Sequence, residues 1–349
     1  MVKSKDLSKK KIENIKTINI GIQLLRMICC LLIILTHFYG FYHFRILSNK
    51  HPYYLKIFFF ISFYFSYNSL SLKKIPKIIE RFKRMLVPYI GWPLIFFIED
   101  KLYQYLFKKK GMYNVKNLYY QILIGCGIYG IFWFIFNLIF ITLFFTLIIF
   151  LFKKIFIFVL FIICIIDYCL YNSNYAPKHF FQKYKMIPVG HSILPICMYF
   201  NYNFTGFYFA SINLSDKAFN YRKIFFIISS LFISIYFIFY FSFFEKIPFF
   251  FKSIVENIFV LNIFIFFVLL PFDKIKNKNL KACLNKITGY TGGIYYLHVK
   301  MDDLCEKFNI YLIKKRTFIG CLLIYLFCYL ICLIGSFILR KNYLKNLFI

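Results

Sequence analysis

Arg26 and His37 stand in one nearly unbroken apolar stretch, Gln23-Leu24-Leu25-Arg26-Met27-Ile28-Cys29-Cys30-Leu31-Leu32-Ile33-Ile34-Leu35-Thr36-His37. Ionisable side chains are costly in such surroundings and are kept where they line a cavity, meet a partner or do chemistry. The eleven residues from one to the other, wound as a helix, turn through about 1,100° and rise about 16 Å. The two side chains therefore fall on nearly one face, one above the other. An imidazole is suited to taking a proton from a hydroxyl at neutral pH, and a guanidinium to holding phosphate or carbonyl oxygens. The same residues also fit a plainer role, with Arg26 reaching along its stem to the cytoplasmic surface and His37 in an interfacial hydrogen bond.

Other polar residues in apolar runs are candidates for the same reason. His298 ends the segment Gly289-Tyr290-Thr291-Gly292-Gly293-Ile294-Tyr295-Tyr296-Leu297-His298, whose glycines permit close helix approach. An interfacial aromatic belt would look the same. Ser62 lies in Phe58-Phe59-Phe60-Ile61-Ser62-Phe63-Tyr64 and Trp133 in Gly130-Ile131-Phe132-Trp133-Phe134; as bare patterns these are aromatic core. Asp167 and Glu256 are acids within apolar spans, fit either for proton relay or for a buried pair with a cation. The sequence contains no phosphate-binding loop, no GxSxG and no HExxH. Its 11 cysteines fall mostly within apolar runs and include no CxxC pair, so neither a disulfide framework nor a metal site is expected.

These residues need elements to hold them, and composition says what kind. The chain has 349 residues, 61% hydrophobic and only 16% charged, with 51 Phe and 30 Tyr. A water-soluble globule cannot hide that much aromatic surface. Apolar runs such as 138–151 and 224–244 reach or approach the ~20 residues that cross a bilayer. The expected fold is all-α: a polytopic transmembrane bundle with spans at 18–43, 52–71, 86–107, 129–151, 155–171, 187–211, 224–244, 249–271, 285–300 and 317–339. About ten spans leave room only for a basic tail over 1–17, a membrane domain over 18–340, a short tail over 341–349 and brief loops. The basic tail resembles the start of a signal peptide, but the apolar stretch after it is too long and lacks a small-residue cleavage site. Both termini are expected in the cytoplasm, because Lys and Arg are then commoner in inside segments than in outside ones. Lys108-Lys109-Lys110 runs against that bias, and Arg26, Lys56 and Lys252 fall within spans. The net charge of +31 lies in short clusters between spans, where topology and anionic headgroups account for it, so nucleic acid is not the expected partner. Between spans 2 and 3, Ile78, Ile79, Phe82 and Met85 recur at helical spacing with cations opposite. That predicts an amphipathic interfacial helix running into Pro88.

Taken in order, these fragments resemble the acyltransferase-3 family of ten-helix integral membrane enzymes that acylate surface glycans and other exported molecules. The resemblance rests on Arg26-x10-His37, then Phe59-Phe60-Ile61-Ser62, Arg81-x-x-Arg84 with Val87-Pro88-Tyr89, Trp133-Phe134, Phe204-Thr205-Gly206, and Ile294-Tyr295-Tyr296-Leu297-His298. It covers nearly the whole chain. Three positions depart from the family pattern: Gln23 replaces an acid, Phe63 a glycine and Phe132 a histidine. Some members carry a soluble hydrolase-like domain after the membrane part; none is expected here.

The resemblance implies transfer of an acyl group, acetyl above all, from cytoplasmic acyl-CoA as co-substrate to a hydroxyl of a surface glycan or glycolipid. The setting would be a plasma membrane or bacterial inner membrane, with no bound cofactor. His37 would serve as base or transient acyl acceptor, and Arg26 would hold donor phosphates or polarise the thioester carbonyl. Arg81 and Arg84 would meet the CoA diphosphate, while His298, Tyr295, Trp133 and Ser62 would lie toward the bound substrates. Two other classes stay open on the residues alone. A transporter or flippase for a glycan or lipid-linked glycan would use similar polar helix faces and consume no donor. A non-catalytic scaffold binding anionic lipids would make Arg26 and His37 matter no more than a neighbouring Leu.

Overall fold

Backbone amides in an apolar run have no water to bond, so the chain must satisfy them within itself, and helices do so most directly. The computed structural model describes residues 20–36, 53–71, 73–108, 114–125, 132–172, 187–214, 218, 220–242, 249–270, 279, 282, 290–307 and 318–339. Among the described residues there are helices and turns and no strand. The elements are α1 (Ile20–Thr36), α2 (Tyr53–Ser71), α3 (Ile75–Phe107), α4 (Val115–Ile124), α5 (Phe132–Phe152), α6 (Phe156–Asn172), α7 (Ile187–Ser211), α8 (Arg222–Ser242), α9 (Phe249–Leu269), α10 (Thr291–Lys307) and α11 (Phe318–Ile338).

A helix overlies each of the ten expected segments, and three details differ. The amphipathic stretch and the third segment form one 33-residue helix, α3, with Pro88 and Pro93 in its interior. Pro76 sits in its first turn, where the missing N–H costs no bond. The ninth segment is displaced toward the C-terminus, over Thr291–Lys307 rather than 285–300. The short helix α4 lies where only a loop was expected. Its ends are capped: the Asn114 side chain accepts from the Asn117 amide at 2.7 Å, and Gly125 closes it at φ 66°. The Tyr89 hydroxyl donates to the carbonyl of Ile122 at 2.7 Å, at the end of α4, and also lies 3.1 Å from that of Gln121, which already accepts from the Gly125 amide.

The outer faces are apolar. Ile224, Ile227, Ile228, Leu231, Phe232 and Ile235 are exposed at helical spacing along α8, and Ile319, Leu322, Leu326, Leu330 and Ile334 along α11. Phe132–Phe152 and Ile319–Ile338 are long and apolar enough by themselves to cross a bilayer. Apolar surface of this extent belongs in lipid, and the chain is a membrane protein.

Polar and small residues fix how the helices meet. At Gly206 in α7 an added Cβ would lie 2.2 Å from the Phe60 carbonyl oxygen in α2, so these two backbones are almost in contact. Gly21 lets α1 approach Phe267 of α9 as closely, with a Cβ position 2.0 Å from that carbonyl oxygen. Lys56 of α2 forms a buried ion pair with Glu256 of α9, and the Tyr202 hydroxyl of α7 donates to the same carboxylate at 3.2 Å. Glu256, which has no evident partner by sequence, is thus tied to a lysine 200 residues away. A second buried lysine, Lys300 of α10, pairs with Glu99 of α3 and lies 3.3 Å from Asp303.

Candidate functional site

Arg26 projects from α1 three residues, hence roughly one helical turn, beyond Gln23. Both line a cavity of about 480 Å³ that is also walled by α2, α3, α5 and α10. Helix α2 contributes Ser62, α3 contributes Arg81 and Arg84, and α10 contributes Thr291 and Tyr295, residues one turn apart on one face. Phe58, Ile61, Ile135 and Leu138 make up an apolar wall. The size is that of an ordinary small-molecule site.

The electrostatics are one-sided. Three guanidinium groups face this space, and none of its lining residues is acidic. Among the described residues, the ion pairs include none to Arg26 or Arg81. Arg84 reaches Glu80 at 3.4 Å, but both side chains are more than half exposed, so water screens that pair. Arg81 is held more firmly. One of its terminal nitrogens donates to Ser62 Oγ at 3.0 Å, and its guanidinium lies over the Phe63 ring, 5.6 Å from the centroid. Its Nε is buried and has no hydrogen-bond partner among the described residues. Three forked cations with no carboxylate among the lining residues have the chemistry to bind an anion with several oxygens.

Five residues singled out in the sequence therefore meet here: Arg26, Ser62, Arg81, Arg84 and Tyr295. Two others lie outside the lining. His298 is fully buried on the next turn of α10, with Nδ1 2.6 Å from the Tyr295 carbonyl oxygen; a ring nitrogen that close to a carbonyl carries the proton. Trp133 stacks on Tyr199 with centroids 5.8 Å apart, and its neighbour Phe134, which does line the cavity, packs on Tyr295 at 5.3 Å. His37 lies outside the described residues. Its neighbour Thr36 is anchored, accepting from the Tyr54 hydroxyl at 3.0 Å and donating to the Leu32 carbonyl at 2.8 Å. Thr291, Tyr296, Met85 and Pro88 also line the cavity; the sequence reading places them in its motifs and segments without giving them a part in the site. The i, i+4 pair Thr291/Tyr295 and the Arg81/Arg84/Pro88 spacing are the signals that mark their faces.

The Thr291 carbonyl accepts from Cys30 Sγ at 3.7 Å, which brings α10 against α1 one turn above Arg26. Among the described residues no group of three or more His, Cys, Asp or Glu side chains could hold a metal ion.

A family model described as an acyltransferase domain, that of the acyltransferase-3 family, matches residues 19–341. No curated protein and no solved structure matches the chain.

Proposed function

The chain belongs to the acyltransferase-3 family, and from that premise we propose that it is an integral membrane O-acyltransferase. In this reading about ten spans cross a plasma membrane or bacterial inner membrane with both termini in the cytoplasm. An acyl group, acetyl in the simplest case, passes from cytoplasmic acyl-CoA to a hydroxyl of a surface glycan or glycolipid. The observation that carries the reading is the cavity with three guanidiniums and no acidic lining residue, which suits the phosphates of such a donor.

Each residue has a part in that transfer. The acceptor hydroxyl oxygen attacks the thioester carbonyl carbon, and His37 takes its proton. The tetrahedral oxyanion collapses, the C–S bond breaks, and the departing sulfur takes up the proton to leave as the free thiol. Arg26, on the cavity wall and about 16 Å of helix rise from His37, holds a donor phosphate. Arg81 and Arg84 hold phosphate oxygens in their planar forks. The apolar wall at Ile61, Ile135 and Leu138 suits the less polar arm of the donor.

The test compares surface glycans and glycolipids by mass spectrometry from cells making wild type, His37→Ala or no protein. An acyl mass increment seen only with wild type is the expected result. An increment that survives His37→Ala removes the base from the mechanism. Unchanged acylation with altered glycan display would replace the enzyme by a transporter.

A further inference from the structure

We propose that Ser62 and Phe63 form a positioning clamp that presents Arg81 to a phosphate-bearing ligand, so that Phe63, an aromatic in the core of α2, sets affinity for that ligand. The proposal rests on the reading of the cavity as an anion site.

The guanidinium of Arg81 has two faces and a hydrogen-bonding rim. One face lies over the Phe63 ring, and one terminal nitrogen donates to Ser62 Oγ at 3.0 Å. These contacts come from adjacent residues of one helix turn, so their geometry is fixed by the α2 backbone. Phe63 is itself immobilised. It is fully buried, and the Phe145 ring of α5 packs on it edge-on with centroids 4.8 Å apart. What remains of the guanidinium rim includes Nε, buried without a hydrogen-bond partner among the described residues, on a side chain that lines the cavity. An unmet donor of a charged group is costly unless a ligand completes it. A ring held under the fork leaves fewer orientations to lose on binding, so affinity rises without a new ligand contact. Phe63 need not touch the ligand to act this way.

Full-length protein in lipid nanodiscs is titrated by calorimetry with inorganic pyrophosphate and, separately, with coenzyme A. Phe63→Leu should weaken pyrophosphate binding about three- to tenfold, the range expected from loss of a partly desolvated cation–aromatic contact. Phe63→Tyr, which keeps the ring face, should bind within about twofold of wild type on the same contact scale. Phe259→Leu removes a buried ring that packs on Tyr236 and Tyr53 and does not line the cavity; it should lower thermal stability and leave affinity in place. In an Arg81→Gln background, Phe63→Leu should add no further loss, since the ring acts through that guanidinium. Should Phe63→Leu fail to fold, Ser62→Ala makes the same test from the rim, with a loss of about tenfold or more expected for a hydrogen bond to a charged group.

Phe63→Leu binding like wild type while Arg81→Gln binds weakly would overturn the clamp. So would affinity losses that merely track stability across Phe63→Leu and Phe259→Leu. Wild type that binds pyrophosphate but not coenzyme A would end the donor reading and leave the clamp standing. Wild type that binds neither would end both.

Discussion

Removing one member of the buried pair between Lys56 and Glu256 should cost more stability than removing both. Both side chains are less than a tenth exposed, and the carboxylate also accepts from the Tyr202 hydroxyl at 3.2 Å. Lys56→Met leaves the Glu256 carboxylate buried without its cation, and Glu256→Gln leaves the Lys56 ammonium buried without its anion. Each should cost about 3–5 kcal/mol, the range generally lost when one member of a buried pair is removed. The double variant Lys56→Met/Glu256→Met leaves neither charge behind and should lie closer to wild type than either single one. The assay is reversible denaturation of the purified protein in mixed micelles. Single variants within about 1 kcal/mol of wild type, or a double variant as unstable as the singles together, would refute the claim that this pair is dry and charged.

Gln23→Glu would place a carboxylate one turn from Arg26 on the cavity wall; by cancelling one of three cations it should weaken coenzyme A binding about tenfold, checked by calorimetry. Arg81→Gln should cost more affinity than Arg84→Gln, because Arg84 is exposed and already beside Glu80. The loss at Arg84 should shrink further as salt is raised from 50 to 500 mM, values on the order of those that shorten the Debye length severalfold. Gly206→Ala puts a methyl 2.2 Å from the backbone oxygen of Phe60, which no side-chain rotation relieves. Its loss of stability should reach or exceed the ~1–3 kcal/mol typical of overpacking, measured as a fall in the thermal midpoint and in folded yield.

The helices are legible in the sequence because hydropathy is a property of each segment alone. The run over 132–152 reads as a helix without reference to anything else in the chain. The short helix α4 escapes such a reading because its signals are local caps at Asn114 and Gly125, overshadowed by the lysines before it. The joining of the amphipathic stretch to the next span escapes it too, because Pro88 reads as a boundary, and in a long packed helix it is tolerated. Of the site, Arg26, Ser62, Arg81, Arg84 and Tyr295 are found through the order of short motifs. Their convergence is invisible there: Ser62 to Arg81 spans 19 residues, and Cys30 to Thr291 spans 261. Lys56 and Glu256 illustrate the same limit, since each looks like an isolated misfit until tertiary packing brings them together.

Helix α2 is where these lines of packing meet, and that explains why its residues are so unlike ordinary membrane-helix filler. It bonds to α1 through Tyr54 and Thr36, to α3 through Ser62 and Arg81, and to α9 through Lys56 and Glu256. It also lies against α7 at Phe60 and Gly206. A helix so surrounded has little lipid-facing surface, so polar side chains can be placed on several of its faces without meeting hydrocarbon. Each polar contact on α2 also fixes rotation and depth for the next. The ion pair at Lys56 lies six residues from Ser62, a little under two turns and about 9 Å along the axis. A slip of the helix by even half a turn would break the pair and carry Ser62 and Phe63 away from Arg81. The costly charges at one end are therefore tied, through the α2 backbone, to the register of the clamp at the other.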